Sequence, residues 1–168
     1  MAPEREPRML WLSIGFERAP GERVVSQIMK AKGITSTSEQ VALNASGPIV
    51  AVRFAGKYPP GSEGNASAAE MVNYLRSVLV ATDAAAVLFD FQSLQYTWGD
   101  VIGALAWALL TPPKHVLPSA IVAQARTARA LAPLLCPQFA FGIVGTRMFD
   151  NTPEALEHLQ QMLAQQTG

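Results

Sequence analysis

From residue 48 onward, apolar and polar positions fall into short blocks that switch between strand and helix spacing. Residues 49–56, IVAVRFAG, form a β-branched apolar run and predict a strand. After a loop of Pro and Gly over 57–65, Ala68, Met71, Val72, Leu75, Val78 and Leu79 share one helical face. Ser67 with Glu70 three residues on reads as a capping box, which would satisfy two orphan backbone donors at the helix start. Residues 85–91, AAVLFDF, are nearly all apolar, the pattern of a strand covered on both faces. Asp100 can cap a helix carrying Val101, Ile102, Leu105, Ala106 and Leu109 inward, ending at Thr111-Pro112. A strand over 119–123 follows, then a short helix over 127–135 disturbed by Pro133, then a strand over 141–144. Asn151 or Thr152 caps a final helix with Pro153 at its first position, and Ala155, Leu156, Leu159, Met162 and Leu163 form its apolar face.

The first 47 residues are less regular. Residues 9–16, MLWLSIGF, read as a short strand or a docking arm. Between Gly21 and Gly33, the positions Val24, Val25, Ile28 and Met29 have helical spacing, and Gly33 would stop the helix. Residues 34–47 are polar and turn-rich, and are expected to form a loop leading into the strand at 49. The expectation is one α/β domain over 1–168: a strand/helix extension over 1–47 and an alternating core over 48–168. Strict alternation predicts a mainly parallel or mixed central sheet with covering helices.

Composition narrows the function classes. The chain has 168 residues, 49% of them hydrophobic and 15% charged, which argues against disorder. Thirteen basic and thirteen acidic residues cancel, and no basic stripe stands out, so nucleic acid is not an expected partner. No uninterrupted apolar run reaches the ~18 residues of a membrane span. The first twenty residues lack the long apolar core of a signal peptide, so a cytoplasmic location and no membrane partner are expected. Cys136 is the one cysteine, which excludes an internal disulfide and a cysteine-rich zinc site.

The order of elements over 41–166 resembles the STAS domain, the fold of bacterial anti-sigma-factor antagonists and of transporter tails. The likeness is sharpest over 86–105, AVLFDFQSLQYTWGDVIGAL. Asp90 falls on the family's strand-end aspartate, and Leu94 and Tyr96 fall on its apolar loop positions. The family's Asp-Ser-x-Gly turn is not kept. Trp98 stands at its second aspartate and Gly99 at its phosphorylated serine, with Ser93 and Thr97 the nearby hydroxyls. The resemblance implies a protein-binding domain, degenerate at the phosphorylated serine.

The residues themselves point to the loop 95–100, since open α/β sheets present their sites at the carboxyl ends of strands. Tyr96 and Trp98 are of the type that anchors interfaces. Gly99 can take a positive φ before the helix, Asp100 can cap it, and Asp90 can hold backbone or a partner. These five, Tyr96, Trp98, Gly99, Asp100 and Asp90, form the expected partner site. Asp90 and Asp100 alone make a poor metal site, and no cofactor motif is present. Cys136 with His115 lacks the setting of a nucleophile and base, and no catalytic residue is assigned. Arg126 and Arg129 follow a strand and could clasp an anion. Trp107, if exposed, would mark an interface such as that of a homodimer.

The expectation is therefore a non-enzymatic binding module whose partner is another protein, either a toxin, as for an immunity protein, or a regulator. The rival is a small crotonase-like or serine-peptidase-like enzyme working through a backbone oxyanion hole, which leaves a faint residue signature. A small-ligand sensor is a third reading.

Overall fold

The computed structural model describes residues 12–18, 22–31, 33–111, 115–140 and 146–166. Four strands come first: β1 (Leu12–Arg18), β2 (Glu22–Ala31), β3 (Ile34–Asn44) and β4 (Gly47–Lys57). They pair antiparallel in sequence order. Next come a 3-10 turn at Gly61–Gly64, helix α1 (Asn65–Thr82), β5 (Ala86–Asp90) and the two-residue β6 (Leu94–Gln95). A 3-10 turn at Asp100–Gly103 runs into α2 (Ala104–Ala108), and β7 (Leu110–Thr111) pairs with β8 (His115–Val116). The chain closes with β9 (Ser119–Val122), α3 (Ala125–Ala140), β10 (Arg147–Phe149) and α4 (Thr152–Gln166).

One sheet joins these strands in the order β1-β2-β3-β4-β5-β9-β10, and β6 pairs with the end of β4. Strands β4, β5, β9 and β10 run parallel, as crossovers through helices require. The sheet is therefore mixed, with an antiparallel wing and a parallel half, in an α/β fold.

Two expectations about the N-terminal part are corrected. The segment from 22 to 31 is a strand, not a helix, because each of Gln27 to Ala31 finds a registered partner on β3. Gly33, at φ +82°, belongs to the turn into β3 rather than to a helix end. The expected loop at 34–47 is an eleven-residue strand. Its Ser/Thr alternation works as a half-buried pattern: Ser36 and Ser38 are buried, and the Tyr74 hydroxyl donates to Ser38 Oγ at 3.1 Å.

Alternation along β4 splits its side chains between two cores. Val50, Val52 and Phe54 join Met71, Leu75, Val78, Ile102, Leu105 and Leu131 under α1, α2 and α3. Ile49 and Ala51 join Leu88, Ala120, Leu159 and Leu163 under α4. All five residues of β5 are buried, as a strand covered on both faces must be. In the larger core Phe54 stacks on Phe91 at 5.7 Å and Phe91 on Phe89 at 5.8 Å, contacts worth about 0.5–1.5 kcal/mol each beyond area burial.

The helix ends also depart from expectation. Helix α1 starts at Asn65 with Gly64 at the cap position and no side-chain cap bond, so Ser67 lies inside the helix. Among the described residues the buried Ser67 hydroxyl has no hydrogen-bond partner, and the capping box does not form. Helix α3 is longer than predicted and runs through Pro133, which removes one backbone donor from the helix. Burial of Leu131 and Leu135 offsets that cost. The strand expected at 141–144 lies outside the described residues, and β10 takes the place beside β9. At α4, Asn151 Oδ1 accepts from Glu154 N at 3.0 Å, a side-chain cap with Pro153 as the second helical residue. His158 packs against Phe149 at 5.3 Å.

Candidate functional site

Beyond the paired length of β4 and β5, the chain continues as two segments locked side by side. Gly56 and Lys57 register with Leu94 and Gln95. Tyr58 N donates to Gln95 O at 3.0 Å, and Gly61 N donates to Trp98 O at 3.4 Å. Thr127, near the start of α3, donates through its hydroxyl to Leu94 O at 3.0 Å. Three elements thus meet at the carboxyl edge of the parallel half of the sheet. That is where open α/β sheets present their sites.

The loop is built on aromatic side chains in two layers. Tyr96 is 2% exposed, meets Tyr58 edge-on at 5.2 Å, and donates its hydroxyl to Gly99 O at 2.6 Å. Trp98, two residues on, is 63% exposed. Its indole crosses Gly61, where a Cβ would stand 2.5 Å from the ring and displace it, at a left-handed φ of +60° that glycine adopts freely. Gly99 has φ +147°, the positive φ expected of it, and turns the chain into the 3-10 segment. Asp100 is the first residue of that segment rather than its cap, which is Gly99.

Val101 is 37% exposed, Ala104 is partly exposed and Trp107 is 62% exposed. They recur every three residues, which places them on one side of the 3-10 turn and α2. The inward side carries Ile102, Leu105 and Leu109, all buried.

Asp90 is not part of this surface. It is 3% exposed and accepts two bonds: Arg53 Nε donates to Oδ2 at 2.7 Å and Gln92 N to Oδ1 at 2.9 Å. Arg53 also stands 3.7 Å from Glu39. The hydrogen bond to Asp90 raises the Arg53 pKa above the ordinary arginine value. Of the five residues expected at the partner site, Trp98 lies on the surface and Gly99 shapes it. Tyr96 and Asp90 are buried and spent on internal hydrogen bonds, Asp90 in part on the backbone N of Gln92, so neither adds to that surface. Sequence reasoning left Val101 on the buried face; it projects outward because the helix opens as a 3-10 turn, which shifts the angular spacing.

A cleft of about 540 Å³ opens beside the loop, lined by Lys57, Pro60, Leu94, Thr97, Gln124 and Arg126 among others. Among the described residues, no group of three His, Cys, Asp or Glu could hold a metal ion, and no helix is long and apolar enough to cross a membrane.

No protein-family model matches the chain, and no curated protein sequence matches it. Solved structures similar to it include the following two. One is the anti-sigma factor antagonist SpoIIAA in its unphosphorylated form, at 14% identity and a TM-score of 0.42, over 73% of this chain and 97% of that one. The other is an uncharacterized DUF3478-family protein with a SpoIIAA-like fold from Shewanella loihica PV-4. It matches at 21% identity and a TM-score of 0.43, over 77% of this chain and 96% of that one. Both likenesses are low in sequence identity and carry no reading of function.

Proposed function

We propose that this chain is a non-enzymatic protein-binding module whose contact surface is Trp98, Val101, Ala104 and Trp107. The observation that carries this reading is the exposure of two tryptophans within ten residues of one rigid loop and turn. Tryptophan is among the residues that dominate interface energetics, and here the backbone under Trp98 is already fixed by Gly61 and Tyr96. Little ordering cost remains to be met on binding. An aromatic patch of this kind favours recognition over chemistry. The partner is a protein, either a toxin neutralised by tight stoichiometric capture or a regulator held more weakly.

Affinity capture from the source cells tests this, comparing the parent, Trp98→Ser/Trp107→Ser and a Val80→Ser control. Val80 is exposed on α1 and stands outside the patch. A protein held by the parent and the control but lost by the folded double variant is the expected result, and its identity separates toxin from regulator. Equal capture by all three would remove the patch as the contact surface.

A further inference from the structure

The cleft beside the loop has a chemistry of its own. Lys57, at the end of β4, and Arg126, in the first turn of α3, both line it. Both side chains are exposed, and neither has an ion-pair partner among the described residues. No described carboxylate lines the cleft, so its field is one-signed. Thr97 and Gln124 add neutral hydrogen-bonding groups, while Pro60 and Leu94 supply an apolar wall. The volume of about 540 Å³ falls inside the roughly 300–1,000 Å³ of small-molecule sites.

Tyr58 also lines the cleft, but its hydroxyl is closed off from it and lies towards Gly64 and Gly99. Its side chain is 1% exposed, and its hydroxyl has no hydrogen-bond partner among the described residues. A buried hydroxyl without a partner costs about 1–3 kcal/mol and is rarely left so. Burial raises the Tyr58 pKa, so the group keeps its proton.

We propose that this cleft binds a small organic anion, its carboxylate or phosphate between Lys57 and Arg126 and its apolar body against Pro60 and Leu94. The ligand class follows from two unpaired cations, neutral donors and an apolar wall in one concavity. Ligand binding here does not depend on the protein-binding reading, because Trp98, Val101 and Trp107 are not among the lining residues.

Backbone-amide chemical shifts, followed during titration of the whole chain with phenyl phosphate, phenol and inorganic phosphate, test the assignment. Phenyl phosphate is expected to give saturable shifts around 57–60, 94–97 and 124–127, with phenol silent and inorganic phosphate weaker. Lys57→Gln/Arg126→Gln should weaken phenyl phosphate by roughly tenfold or more, since removing one charge-assisted hydrogen bond costs an affinity factor of that order. The proposal falls if no saturable shift occurs up to millimolar phenyl phosphate, if the shifts map elsewhere, or if phenol or the double variant binds equally well. Equal binding of inorganic phosphate would remove the apolar wall from the site and overturn the organic part of the ligand. Capture of a protein partner through Trp98 and Trp107 is read separately and is unaffected by these outcomes.

Discussion

Arg53 and Asp90 are registered neighbours on β4 and β5, and Arg53 Nε stands 2.7 Å from Asp90 Oδ2. The carboxylate is buried while the guanidinium is half-exposed. The pair therefore anchors the end of the parallel sheet from the solvent side. Because Gln92 N binds the other carboxylate oxygen, the same aspartate also starts the turn after β5.

Arg53→Met leaves a buried carboxylate with one backbone donor and should cost about 1–3 kcal/mol, less than for a fully buried pair because the guanidinium is half-exposed. Asp90→Leu should cost a similar amount. The double variant should cost less than the sum, with a coupling on the order of 1 kcal/mol in a urea-denaturation cycle. Additive costs would show that the contact carries no net energy.

Tyr74 governs an alkaline limb of stability. Burial pushes its pKa up to about 12 from the ordinary tyrosine value of 10, partly opposed by the hydrogen bond to Ser38. The folded state thus holds the phenolic proton more tightly than the unfolded chain. Stability from this group is full below the unfolded value of about 10 and is lost as pH rises through about 12. Denaturant midpoints measured across pH 9–12 should fall more steeply for the parent than for Tyr74→Phe. Parallel slopes would mean that Tyr74 does not titrate in this window.

Gly61→Ala should disturb the loop from below. The new methyl group would meet the Trp98 ring at 2.5 Å, at a backbone φ of +60°. A destabilisation on the order of 1–2 kcal/mol is expected from strain and displacement together. The Trp98 contribution to fluorescence, isolated by comparison with Trp98→Phe, should shift. Unchanged emission and stability would mean that the ring moves aside freely.

Ser67→Ala separates a cap from an orphan. A helix-capping serine costs about 1 kcal/mol when removed. Ser67 instead carries, within α1, a buried hydroxyl with no partner among the described residues. Thermal denaturation should find the alanine variant equal to or more stable than the parent. A loss near 1 kcal/mol would restore the capping box.

Much of residues 48–166 was legible as sequence because each element there stamps its own spacing on the chain. The apolar run 86–90, the helical face from Ala68 to Val78 and the α4 face are patterns that local burial alone explains. The strand-end loop was found for the same reason: it falls between a fully apolar strand and an amphipathic turn. Strands β2 and β3 were not legible in this way. Val24, Val25, Ile28 and Met29 suit a helix face as well as a strand. The Ser/Thr-rich stretch after Ile34 carries its β character only through hydrogen bonds to β2 and β4 on either side. Pairing with distant residues made that choice, because ladder bonds join positions that no local window contains.

The same division runs through the site. Aromatic type and position marked Tyr96 and Trp98 alike, and nothing in their spacing told one from the other. The tertiary structure separated them: Tyr58 and the Gly99 carbonyl hold Tyr96 inside, while Gly61 lets the indole of Trp98 lie across the surface. The cleft between Lys57 and Arg126 likewise exists only once β4 and α3 meet across the sheet edge. Periodicity records whether a residue is buried; which neighbour buries it is decided by chain segments brought together from far along the sequence.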